Sequence, residues 1–438
     1  MNFYDFDYRE TKTFANSAFE EFTDMPVLII VDDTDGKYAG LTACNNIDFR
    51  DKHGNQLAWE CAEFNDGGKS YYNVRVPRIK ATDTDYIFMY WGTNTSTEDK
   101  TGVWNDDFVQ HMKDETTSTV LDSTINNYDG TKLGVNEPVE AAGNLGLCQD
   151  FDGIDDRIDF GDNLDLIANT DLSIEALLTA PNNIATTQVI ISKKQNTAGQ
   201  LDAGWILFFV STGRIRLNLT EGTGVVKNFT TTNHFDDGAE HHIALKLDRD
   251  GTSKMFIDGV EEASGVLLQT GDLSNAIELK IGCRGSNGHN YDGAINEVRV
   301  RVGTIYSDNY YKAQDKILRT RNYVTSGGMF AADGTLSVQR PKYFIRNKKL
   351  NGPWTAKMKI PYDEDIQAEG YARFEDDLYI VKKAFRVYDS GKYFVNASME
   401  HNSMELAGFT IDKFYRKDTA ENLLTFLLAD TPWSVGTV

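Results

Sequence analysis

Apolar and polar residues alternate with a period of two over much of this chain, the pattern of half-buried strands. The clearest case is Leu147 to Phe160, LCQDFDGIDDRIDF, where Leu147, Phe151, Ile158 and Phe160 flank an acidic segment of Asp152, Gly153, Asp155 and Asp156. That spacing predicts a hairpin: strand, tight Asp/Gly turn, strand. Further strands are predicted at LSIEALLTA (172–180), VIISKK (189–194), HHIALKLD (241–248), MFIDGVEEA (255–263), LKIGC (279–283) and from Asp292 onward in DGAINEVRVRV. Upstream, MPVLIIVDDTDG (25–36), YYNVRVP (71–77) and DYIFMYWG (85–92) read the same way. The period changes at SDNYYKAQDKILRTR (307–321), a predicted short helix with Ser307 as N-cap and Asp308 near the positive end of its dipole. Gly327 and Gly328 mark a linker. After it come strands in series, in TLSVQRPKYFIRNKK, NGPWTAKMKIP, YIVKKAFRVY and GKYFVNASMEH. A predicted helix follows at 418–433, with Asp418 and Glu421 in capping-box spacing.

Length changes this picture by dividing it. A chain of 438 residues suggests about three domains, expected, with the family resemblances given below and the Gly327–Gly328 linker, at 1–118, 119–325 and 329–438. The net charge of -22 argues against a nucleic-acid partner, since phosphate contacts need dense Lys and Arg. It favours divalent cations gathered on carboxylate loops. No apolar run is long enough to span a membrane, so membrane insertion is not expected. MNFYDFDYRE lacks the basic region and apolar run of a signal peptide, which points to the cytoplasm or to a particle assembled inside a cell. Cys44, Cys61, Cys148 and Cys283 form no C-x-x-C pair and suggest no disulfide framework. Cys148 and Cys283 read as buried thiols.

In order, the 147–314 segments resemble the LamG-like, concanavalin-type jelly roll, over roughly 120–317. The pieces MPV, DFRDKHGNQL (48–57), VRVP, the aromatic strand ending in Gly92, and Val103-Trp104 resemble a small domain of unknown function that precedes such jelly rolls in prokaryotic and phage surface proteins. NGPWTAKMKIP, YFVNASMEHNSMELAGF and LLADTPWSVGTV are similar to the N-terminal part of phage tail hub, or tail-associated, proteins, a family in which the chain normally continues well past this point. The implied fold class is mainly β: an antiparallel sandwich flanked by an N-terminal and a C-terminal β-rich domain, the latter with a short terminal helix. The resemblance implies a tailed-phage virion protein at the tail tip or baseplate. Its partners would be other tail proteins and a host-surface carbohydrate or protein, and it would assemble as a cyclic trimer or hexamer.

Candidate chemistry is sparse. A sandwich glucanase needs two carboxylates on one strand facing one groove, whereas Glu175 and Glu297 each stand alone. No G-x-S-x-G occurs, and His241 and His242, being adjacent, point to opposite faces, one packed and one solvated. A non-enzymatic binding protein is therefore expected, with a prokaryotic adhesin-like module as the alternative and a glycan hydrolase as the remaining possibility. The acidic turn is the metal candidate: Asp152, Asp155 and Asp156, with Asp292, which the LamG-like resemblance brings close, could hold a structural Ca²⁺. The competing reading has the carboxylates satisfied by the turn's own amides. In the 284–291 loop, Asn287, His289 and Tyr291 are the ligand-binding candidates, against an ordinary polar loop. Trp205 reads as core.

Overall fold

The computed structural model describes residues 6–327 other than 53, 136 and 197–201, and beyond them the backbone of strands Phe330–Ala331, Tyr343–Asn347, Thr355–Pro361, Tyr371–Phe374, Asp377–Asp389 and Lys392–His401. The chain divides into two compact units, Asp5–Ala331 and Ala332–Val438. In the second unit the five strands from Tyr343 onward form an antiparallel sheet, with Thr355–Pro361 and Asp377–Asp389 on either side of Lys392–His401. The helix expected at 418–433 lies outside the described residues.

The first unit is mainly β and built on a large antiparallel sheet of jelly-roll type, as the alternating pattern requires. One layer of the sandwich runs Val260–Val266, Thr252–Ile257, Glu240–Leu247, Leu172–Thr179 and Asp292–Val302. The other runs Val226–Thr230, Ile215–Thr220, Gly204–Phe209, Gln188–Lys193, Lys280–Ile281 and Arg157–Asp159. Between them lies a core that includes Phe160, Leu207, Leu217, Leu245 and Val300, and Trp205 sits in it fully buried.

The strand Asp292–Val302 organises this layer. Its first half pairs with Leu147–Asp152, its second with Phe108–Thr116, and Leu172–Thr179 runs along its other edge. The predicted hairpin at 147–160 is corrected here: Leu147–Asp152 pairs with Asp292–Val302, whereas Arg157–Asp159 pairs with Lys280–Ile281 and Gly130–Leu133. The acidic turn therefore crosses between layers. Alternation alone cannot distinguish that crossing from a hairpin, because both keep the same residues facing the core.

The N-terminal module contributes two small sheets. Phe22–Asp32, Lys69–Ile79 and Trp59–Glu63 form one; Tyr8–Phe14, Tyr86–Trp91 and Ile47–Arg50 form the other, which Val324–Ser326 joins by pairing with Lys12–Phe14. Helix Asp308–Leu318 begins as predicted, with Ser307 Oγ accepting from Tyr310 N at 3.2 Å. Its Tyr310, Tyr311 and Ile317 pack in one core with Trp59 and Val27 of the module and with Leu177 and Phe256 on the outer face of the sandwich. The outer face of that layer is thus sealed by the helix and the module.

Candidate functional site

Asp152, Asp155 and Asp156 place carboxylate oxygens within 4.8 Å of one another. Two of the six oxygens are spent on the turn's own amides and a third on Val135. Asp156 Oδ2 accepts from Asp152 N at 2.9 Å, Asp152 Oδ1 from Ile154 N at 2.8 Å, and Asp155 Oδ2 from Val135 N at 3.1 Å. Asp156 is 3% exposed, and its buried Oδ1 has no hydrogen-bond partner among the described residues. Burial, together with repulsion from Asp152 and Asp155, raises its pKa above the ordinary carboxylate value. A Cβ at Gly134 would stand 3.0 Å from that same oxygen and 3.1 Å from Asp155 O, so the glycine keeps the space before the carboxylates open. These residues fit a hard cation, which takes carboxylate and carbonyl oxygens together. Asp292 pairs directly with Asp152 in the ladder but lies outside the mutual cluster of three.

The ligand loop divides. Asn287 is exposed and its Oδ1 accepts from Lys280 Nζ at 2.9 Å. His289 is half-buried and its carbonyl accepts from Val189 N at 2.8 Å. Burial and the nearby Arg284 hold its imidazole below the usual pKa. Tyr291 is corrected: it is fully buried against Phe151 and Phe209, with its hydroxyl donating to Thr179 O at 2.8 Å. The residue before Asp292 falls on the inward phase of the alternation, so its aromatic ring belongs to the core.

Glu175 and Glu297, each single on its strand, both lie against basic side chains. Glu297 Oε2 lies 2.6 Å from His111 Nδ1, and His111 Nε2 lies 3.1 Å from Glu60 Oε2. Glu60 also accepts from Trp104 Nε1 at 2.7 Å and from Ser123 Oγ. Glu297 Oε1 accepts from Arg299 Nε at 2.7 Å; Arg299 stacks 4.6 Å from the Trp104 ring and donates to Gln314 Oε1 on the helix at 3.2 Å. Gln314 in turn donates to Pro26 O at 3.1 Å. Burial opposes the charged form of His111, but Glu297 and Glu60 outweigh it and push the pKa up to about 10. Glu297 is held low against its own burial by His111 and Arg299. The arrangement is a charged staple between module, sandwich and helix. Nothing in the sequence near His111 signals it, because its partners are 51 and 186 residues away.

Two other expectations change. His241 and His242 do face opposite ways, but both are buried. His241 pairs with Asp258 at 2.8 Å and Asp237 at 3.1 Å, and His242 Nε2 lies 3.3 Å from Glu175. Cys44 and Cys61 form a disulfide, their Cα atoms 6.0 Å apart, while Cys148 and Cys283 are free and buried. The fold, not the spacing, brings that pair together.

Residues 152–304 match the sequence model of the concanavalin A-like lectin/glucanases superfamily (Laminin_G_3), a match confined to the jelly roll. No curated protein matches the chain. Among solved structures, the chain is similar to the botulinum neurotoxin serotype G binding domain, at 13% identity and a TM-score of 0.40 over 67% of this chain. It spans 65% of the length of that domain. It is also similar to domain 4 of AbnA, a GH43 extracellular arabinanase from Geobacillus stearothermophilus, in complex with arabinotriose (20% identity, TM-score 0.35, 45% of this chain and 96% of that one). A third is the Ruminococcus gnavus IT-sialidase CBM40 bound to α2,3-sialyllactose (18% identity, TM-score 0.30, 34% and 84%).

Proposed function

We propose that this protein is a non-catalytic component of a tailed-phage virion, at the tail tip or baseplate, whose jelly roll binds a host-surface glycan or protein. The observation that carries the binding reading is the match of residues 152–304 to the concanavalin A-like lectin/glucanases superfamily, on a sandwich whose strand carboxylates are covered. One outer face is sealed by helix and module, and its Glu175 and Glu297 sit beneath that cover. A glycosidase needs its carboxylates open to a groove; here they are spent on ion pairs under the module. The phage assignment rests on the resemblance of the C-terminal part to tail hub proteins and of the N-terminal module to a domain of prokaryotic and phage surface proteins. In this reading the acidic turn holds a structural Ca²⁺, and the protein is a closed trimer or hexamer, since a ring satisfies every interface.

Mass spectrometry of purified particles tests the assignment: the chain is expected among virion proteins, and its absence there would overturn it. The disulfide favours a second reading, a prokaryotic adhesin-like surface module, because disulfides persist in oxidising compartments. Recovery of the chain from a cell-surface fraction without particles would select that alternative.

A further inference from the structure

We infer that three loops of the sandwich, at 165–171, 221–226 and 266–272, form a docking surface for a protein segment that carries an apolar side flanked by Lys or Arg. That surface stands whether or not the jelly roll binds a glycan. Each loop presents an aliphatic side chain to solvent: Ile167 is 62% exposed, Val225 45% and Leu268 65%, with Val266 close in sequence at 59%. Single exposed aliphatics are ordinary on a protein surface, whereas several gathered in one place mark an interaction site.

Arg249, which is fully buried, does the gathering. Its Nε donates to Gln269 O at 2.7 Å, its Nη1 to Ile167 O at 3.0 Å, and its Nη2 to Gly271 O. One guanidinium therefore holds the first and third loops by their backbones. Gln269, also fully buried, donates from Nε2 to Val225 O at 2.9 Å and ties in the second. Glu221 Oε1 accepts from Gly271 N at 2.9 Å, and Asn169 N donates to Thr270 O at 3.0 Å. The loop backbones are thus fixed in advance, so docking costs little ordering. Leu268 adds a second sign. Its φ of 43° lies in the left-handed region, which a side chain with a Cβ disfavours and Gly or Asn tolerates. Folding alone favours neither the exposure nor the strain of this leucine; a partner that buries the side chain makes use of both.

Charge decides the kind of partner. The three loops contain no Lys or Arg, yet they carry Asp165, Asp171, Glu221 and Asp272. Asp250, next to Arg249 in the chain, is exposed and accepts from Asn169 Nδ2 at 3.0 Å. Arg249 itself is enclosed, and Lys193 is buried against Asp162 and Asp165. The surface is therefore aliphatic with an acidic margin. That margin repels anionic lipid headgroups, and a second copy of the chain would bring like charges together. An apolar side flanked by Lys or Arg satisfies both parts, burying the aliphatics at the centre and pairing with carboxylates at the rim.

Fluorescence anisotropy with two labelled amphipathic helical peptides, one of Leu and Lys and one of Leu and Glu, tests this on the full chain. The Leu/Lys peptide is expected to bind and the Leu/Glu peptide not to bind. Leu268→Asn should weaken binding by about tenfold, as for loss of one buried aliphatic anchor. Its melting temperature should stay level or rise, because Asn suits the left-handed backbone. Ile167→Asn should weaken binding by a similar factor. Leu/Lys binding that ignores both substitutions would be general attraction to an acidic protein and would overturn the site, as would no binding of that peptide. Equal binding of the Leu/Glu peptide would overturn the partner class. Phosphatidylcholine vesicles and sedimentation velocity over a range of protein concentrations supply the remaining outcomes. Vesicle binding or self-association that Leu268→Asn abolishes would assign the surface to lipid or to a second copy and overturn the proposal.

Discussion

The first unit holds two groups of carboxylates, and they have opposite electrostatic fates. Under the module, Glu60 and Glu297 share the His111 imidazolium, and Arg299 neutralises what remains. At the sandwich edge, Asp152, Asp155 and Asp156 crowd together, and the buried Asp156 Oδ1 has no hydrogen-bond partner among the described residues. The first group is complete within the protein. The second is stable only at the cost of mutual repulsion, or with something added. Completed charge clusters are architecture, and incomplete ones are where ligands belong.

The strongest test of the first half of the comparison is His111→Ala. It leaves Glu60 and Glu297 facing each other without their shared cation, and removing one partner of a buried pair typically costs about 3–5 kcal/mol. Urea unfolding should show that loss, and a change below about 1 kcal/mol would mean that the cluster is solvated in practice. The pH dependence has a definite sign. His111 has a folded pKa raised from 6.5 to about 10, so its contribution is fully present below pH 6.5 and is lost as pH rises toward 10. Wild-type stability should fall across that window, and His111→Gln should show a flatter profile.

The next effect lies within the module. The Cys44–Cys61 bridge closes a sequence separation of 17 residues, and a loop of about that length contributes about 3 kcal/mol by restricting the unfolded chain. A Cys44→Ser, Cys61→Ser protein should melt correspondingly earlier, and reductant should lower the wild-type melting temperature but not that of the variant. Identical melting with and without reductant would show that the bridge does not form.

These two features also show where sequence reading succeeds. The strands, the Ser307-capped helix and the buried role of Trp205 were legible because each depends on local periodicity or a cap three residues long. The acidic turn was legible as a cluster, since its three aspartates lie within five residues. The hairpin reading failed because pairing partners are not local: the same alternation serves a strand that turns back and one that crosses to the other layer. Tyr291 was misplaced for a related reason, a polar loop ending one residue before its sequence suggests. The His111 staple and the Cys44–Cys61 disulfide join segments that no local pattern connects, and only the fold assembles them.

The second half of the comparison, that the turn is an incomplete cluster awaiting a cation, is tested most directly by calorimetric melting in a calcium titration, with a chelator as the zero point. A ligand that binds only the folded state stabilises it by RT ln(1 + [L]/Kd), about 1.4 kcal/mol at ten times Kd. The melting temperature should therefore climb with calcium. It should stop responding in Asp156→Asn, which keeps an oxygen for Asp152 N but removes the charge. A wild-type melting temperature indifferent to both calcium and chelator would contradict the account and leave the three aspartates as a turn that caps itself.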